Sequence, residues 1–261
     1  MVSKTIINIS ILTIALFLNV TLNYAQDITL HNFINSQTTK SGQNGYMTIM
    51  SHANASSSKL DGLTIVYING IKNEYNEGRN VAADISAMLA RRVVLVYSMS
   101  INFVSDVKKA LDLRMRDYKP AEVMALYNLI IHEISRGNKV RVFAHSRGAA
   151  VAYRAATMLT SLDYINDKNS LTKILNNLEF ITLGGFSPSS SKWPSGMKVY
   201  DLVNQYDLVG KYNDDVPFFD PHFRGIIPVP ISIKDHPISN YYKILPAYKE
   251  YELKIQWRAG I

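Results

Sequence analysis

Between Lys139 and Tyr153 the chain reads Lys-Val-Arg-Val-Phe-Ala-His-Ser-Arg-Gly-Ala-Ala-Val-Ala-Tyr, and this run restricts the fold more than any other part of the sequence. An apolar strand, Val140 to Phe143, passes within a tight turn into a helix of small residues. Strand and helix approach that closely only if the residues at the corner are small, and Ala144 and Gly148 meet the demand. A strand feeding a helix in this way is the unit of a parallel sheet, whose neighbouring strands need crossover connections. A serine at the corner is held on strained backbone, with its hydroxyl projecting beyond the C-terminal edge of the sheet.

The rest of the chain continues the pattern. Strands are expected at Leu63 to Ile68, Arg92 to Tyr97, Val140 to Phe143, Glu179 to Leu183, Val199 to Val203 and Ile227 to Ile233. Between them, Val123, Tyr127, Ile130, Ile131 and Ile134 recur at helical spacing from Ala121 to Arg136, and Gly137-Asn138 closes that helix. The expectation is an α/β domain over residues 61–261, a predominantly parallel sheet flanked by helices. With 261 residues, 47% of them hydrophobic and 19% charged, the chain can bury such a core, and disorder and coiled coils are excluded.

Ahead of the domain lie two different segments. Met1 to Lys4 is a short basic start, Thr5 to Leu22 carries no charge, and Ala25 supplies a small residue before Gln26. Residues 1–25 therefore read as a secretory signal peptide, with an uncleaved anchor as the alternative. Residues 26–60 are polar, include Ser56-Ser57-Ser58, and read as a lead-in to the domain. Export without a single cysteine points to a secreted or envelope protein of bacterial type rather than a disulfide scaffold, and excludes thiolate catalysis.

Ala144-His145-Ser146-Arg147-Gly148 resembles the nucleophile elbow of the α/β-hydrolase superfamily, on its lipase and esterase side. The usual pattern is Gly-x-Ser-x-Gly, and Ala144 departs from it by one methyl group. The resemblance implies the chain order serine, acid, histidine. Downstream, Asn204-Gln205-Tyr206-Asp207-Leu208-Val209 resembles the lipase Asn-x-x-Asp-x-Val signature and makes Asp207 the acid; its alternative is a capping or turn aspartate. His236, in Lys234-Asp235-His236-Pro237 after the last expected strand, is the base, with His222 in Asp220-Pro221-His222 as its rival. A serine hydroxyl needs such a base, and the base a carboxylate to orient it.

The same resemblance implies an oxyanion hole of two backbone N–H groups, one from Arg147 after the nucleophile and one from Ile71 in the Asn69-Gly70-Ile71 loop. A plain Asn-Gly turn is the other reading of that loop. Gly184-Gly185-Phe186-Ser187-Pro188 looks like the Gly-x-Pro loop flanking lipase sites, with a plain turn as the equal alternative. Trp193, Phe218, Phe219 and Phe223 read as an acyl-binding wall or as core. His31 and His52 precede the domain, His132 lies in a helix, and His145 packs at the elbow, so no metal spacing appears and no metal or other cofactor is implied.

The implied activity is a serine hydrolase cleaving carboxylic esters of small-molecule or lipid substrates through an acyl-enzyme on Ser146. Two alternatives stay open: a hydrolase-fold binding protein without turnover, and a thioesterase or peptidase using the same triad. The formal charge of +7 agrees with peripheral contact at an anionic membrane surface. The charges are scattered, with pairs such as Arg91-Arg92 and Lys108-Lys109, and no nucleic-acid partner is implied.

Overall fold

The computed structural model describes residues 28–51, 62–71, 74–101, 105, 108–110, 112–113, 118–161, 168–188 and 192–202. The described residues divide into two units, one within 1–38, where 28–35 are helical, and one within 39–261. Within the larger unit the described strands are β1 (Met47–Met50), β2 (Leu63–Ile68), β3 (Val93–Val96), β4 (Lys139–His145), β5 (Leu178–Leu183) and β6 (Lys198–Leu202). The main helices are α1 (Tyr75–Leu89), α2 (Ala121–Ser135), α3 (Arg147–Thr160) and α4 (Lys168–Asn177). The sheet order is β1-β3-β2-β4-β5-β6, parallel throughout except for β1, which pairs antiparallel with β3.

Strand period two sorts the core into two layers. Ile65, Tyr67, Val93, Leu95, Phe143, Ile181 and Leu183 pack with Val81, Ala82 and Ile85 of α1 on one face. The intervening residues, among them Val66, Ile68, Val142 and Phe180, point to the opposite face and are fully buried. On that side Trp193 packs edge-on against Tyr153 of α3 and at a tilt against Phe180. It is 5% exposed and donates its indole N–H to the Pro188 carbonyl at 3.1 Å, so it belongs to the core and not to an acyl-binding wall.

The helices begin and end where local chemistry directs. Glu74 and Glu77 form a capping box at the start of α1. Gly137, at φ +88°, turns the chain out of α2 towards β4. In α2, Val123, Ile130 and Ile134 are buried as their spacing predicts, but Ile131 faces outward at 36% exposed. At 3.6 residues per turn, adjacent positions 130 and 131 diverge by about 100°, and only one of them reaches the sheet.

The polar lead-in read over residues 26–60 contributes a strand. Met47–Met50 covers the outer edge of β3, and the ladder extends through Tyr97 N–H to the Tyr46 carbonyl at 2.9 Å and Gly45 N–H to the Tyr97 carbonyl at 2.8 Å. Four residues with one β-branched pair are too short to announce a strand by composition. The expected strand Ile227 to Ile233 lies outside the described residues.

Candidate active site

The strand order turns back at one place. From β2 the chain crosses to β3 on one side, and then returns to lay β4, β5 and β6 on the other. At such a reversal the connections leave adjacent strands in opposite directions and open a crevice beyond their C-terminal ends. Here the two strands are β2 and β4, paired in register with Ile68 opposite Ala144. Asn69-Gly70-Ile71 follows one and Ser146-Arg147 the other, so the topology places the Gly70 loop beside the serine turn.

Ser146 sits at φ 52°, ψ −121°, a conformation that L-residues rarely adopt. Three backbone hydrogen bonds hold it there. Its N–H donates to the Leu183 carbonyl at 3.1 Å, while its own carbonyl accepts from Ala149 N–H at 3.0 Å and Phe186 N–H at 2.9 Å. The Gly184-Gly185-Phe186 loop is thereby attached to the elbow. Gly185 is confined as well, since a Cβ there would stand 2.7 Å from Ala149 Cβ and 2.8 Å from Thr182 Cβ. Thr182 in turn donates its hydroxyl to Asp201 on β6 at 2.5 Å.

Across the crevice, a Cβ on Gly70 would lie 2.8 Å from Ser146 Cβ and 2.7 Å from His145 Nδ1. Only glycine lets the loop approach the serine this closely. His145 is 4% exposed and packs beneath the loop, as expected of an elbow histidine. Ser146 is itself 1% exposed. The sequence leads one to expect a projecting hydroxyl, but the Gly70 loop presses on one side of the turn and the Phe186 loop bonds to the other.

Arg147 is the first residue of α3, and the backbone N–H groups of a helix N-terminus suit a negatively charged atom. Ile71 follows Gly70 directly in the facing loop. The structure therefore brings the Ser146-Arg147 corner against Gly70, the residue before Ile71. Asp207, His236 and the rival His222 lie outside the described residues, as do Phe218, Phe219 and Phe223.

Two features of the site carry no signal in the sequence. The side chain of Asn69, fully buried, exchanges hydrogen bonds with the backbone of Ser98 beyond β3. The guanidinium of Arg147, 1% exposed, turns towards the same Ser98. Asn-Gly reads locally as a turn, and the sequence assigns a role to the backbone N–H of Arg147 but none to its side chain. Only the pairing of β2 with both β3 and β4 brings these groups together. Among the described residues no cluster of three metal-ligating side chains occurs, and no helix is long and apolar enough to cross a membrane.

No family model matches the chain, and no curated protein matches it. Among solved structures, it is similar to a Trichoderma reesei cutinase in complex with a C11Y4 phosphonate inhibitor, at 14% identity and a TM-score of 0.35, over 59% of this chain and 66% of the cutinase. It is also similar to a lipase-esterase related protein from Clostridium acetobutylicum ATCC 824, at 11% identity and a TM-score of 0.31, over 55% of this chain and 47% of the other. The alignments thus span less than two thirds of either protein's length.

Proposed function

We propose that this protein is a serine hydrolase of carboxylic esters, acting on lipid or short acyl substrates through an acyl-enzyme on Ser146. The observation that carries the reading is the elbow: a serine at φ 52°, between a central parallel strand and a helix N-terminus, with a glycine loop against it. His236 takes the hydroxyl proton as the oxygen attacks the ester carbonyl, then returns it to the leaving alcohol. Asp207 holds the imidazole in the required tautomer. The backbone N–H groups of Ile71 and Arg147 receive the charge that develops on the carbonyl oxygen. Water then repeats the sequence on the acyl-enzyme. Residues 1–25 direct export, and the mature chain begins at or near Gln26.

One observation favours the second reading, a hydrolase-fold binding protein without turnover: Ser146 is 1% exposed. A fluorophosphonate probe with mass spectrometry separates the two. Labelling at Ser146, abolished by Ser146→Ala along with p-nitrophenyl ester hydrolysis, supports the enzyme. A folded wild type that takes no probe and turns over no ester of any chain length is the binding protein.

A further inference from the structure

Arg147 begins α3, yet its side chain is withdrawn from solvent into the loop that leaves β3. Its Nη2 donates to Ser98 Oγ at 2.7 Å and to the Met99 carbonyl at 2.8 Å. Ser98, fully buried, is gripped from its other side by Asn69. The Ser98 N–H donates to Asn69 Oδ1 at 2.8 Å, and Asn69 Nδ2 donates back to the Ser98 carbonyl at 2.8 Å. The same Nδ2 reaches the Gly70 carbonyl at 3.1 Å. Met99 N–H is tied down in turn by Asn44 Oδ1 at 2.5 Å. A continuous chain of hydrogen bonds thus runs from the residue after the serine, through the β3 loop, to the glycine that faces the serine.

Burying a guanidinium is costly, and a shorter apolar side chain would begin the helix equally well. What the guanidinium adds is a planar amino group, Nη2, whose two N–H bonds reach two acceptors at once. Those acceptors belong to the segment that sets the height of Asn69 and Gly70 above the sheet. An oxyanion donor works only when it is held near its productive place, and an error of about 1 Å in such a group reduces rate by about 10²-fold.

We propose that the Arg147 side chain is a positioning residue: acting through Ser98 and Asn69, it fixes the Gly70-Ile71 loop opposite Ser146, so that one residue supplies one oxyanion donor and aligns the other. This rests on the serine-hydrolase reading. The substrate class is unchanged by it, and the added content is that loss of the clamp weakens transition-state stabilisation and spares substrate binding.

The test uses the full chain, a fluorophosphonate probe and p-nitrophenyl butyrate. Ser98→Ala removes the hydroxyl acceptor, and Arg147→Lys keeps the charge but loses the planar amino group and its reach. Turnover, kcat, is expected to fall about tenfold in the first and about 10²-fold in the second, with KM within about twofold of wild type and slower labelling of Ser146. Should Arg147→Lys fail to fold, Ser98→Ala decides alone. Wild-type kcat in the folded variants overturns the clamp and leaves the hydrolase reading standing, as does a rise in KM at unchanged kcat. A wild type that neither labels nor turns over overturns both.

Discussion

The carbonyl oxygen of Ile68 leaves no room for a Cβ at residue 148: a side-chain carbon added to Gly148 would lie 2.6 Å from it and 3.0 Å from the Asn69 carbonyl. Gly148 therefore allows α3 to rest directly on the end of β2, which is also where the Asn69-Gly70-Ile71 loop starts.

Gly148→Ala sets two effects against each other. Alanine is favoured over glycine in a helix by about 1 kcal/mol, whereas overpacking against rigid backbone costs about 1–3 kcal/mol. The obstacle is main chain at both contacts and cannot rotate away, so the clash wins. Thermal unfolding should move down by several degrees, and a variant that melts at or above wild type would show that α3 can lift off β2 freely.

Gly70→Ala acts on chemistry more than on stability. The new methyl meets Ser146 Cβ and the His145 ring, and the loop must retreat. With the expected donor at Ile71 displaced by about an ångström, kcat/KM for a p-nitrophenyl ester should fall about 10²-fold. Unchanged kcat/KM would exclude this loop from the reacting centre.

Glu133, 1% exposed in α2, accepts hydrogen bonds from the Thr64 hydroxyl and from Asn138 Nδ2 at 2.9 Å, tying the helix to β2 and to the turn before β4. Glu133→Leu strands both donors in the interior and should cost about 3 kcal/mol. Glu133→Gln retains one acceptor oxygen and should cost less. Urea denaturation measures the order, and equal losses would argue against this network.

His132 titrates below its ordinary value of 6.5, chiefly because burial disfavours the charged ring and Arg136 adds repulsion, with Glu133 opposing. The unfolded chain therefore takes up a proton before the folded one does, and stability is lost as pH falls below 6.5. His132→Gln removes this loss. Its melting temperature relative to wild type should rise between pH 8 and pH 5, and a constant difference would contradict the assignment.

The central strands are legible in the sequence because they are buried on both faces, and a strand without a wet side must be a continuous apolar run. Leu63–Ile68 matches its expected limits, and the structure extends Val140 to Phe143 to Lys139–His145. β1 has no such run, and its place depends on β3, far along the chain. The elbow is legible for a related reason: small residues at 144 and 148 are demanded by a local corner. The Asn69–Ser98–Arg147 clamp joins positions 29 and 49 residues apart, and no periodicity encodes it.

The corner at Ser146 also bears on durability. Backbone at φ 52°, ψ −121° belongs to the first central position of a mirror-image turn, which glycine occupies freely and a residue with a Cβ enters at about 1–3 kcal/mol. For a domain whose whole margin against unfolding is about 5–15 kcal/mol, that is a sizeable standing tax. Stability alone would place glycine at 146. Relief of the torsion by Ser146→Gly should give a protein that withstands more denaturant than the native chain while losing the hydroxyl proposed as nucleophile, so that on this proposal resilience and reactivity are opposed at a single residue.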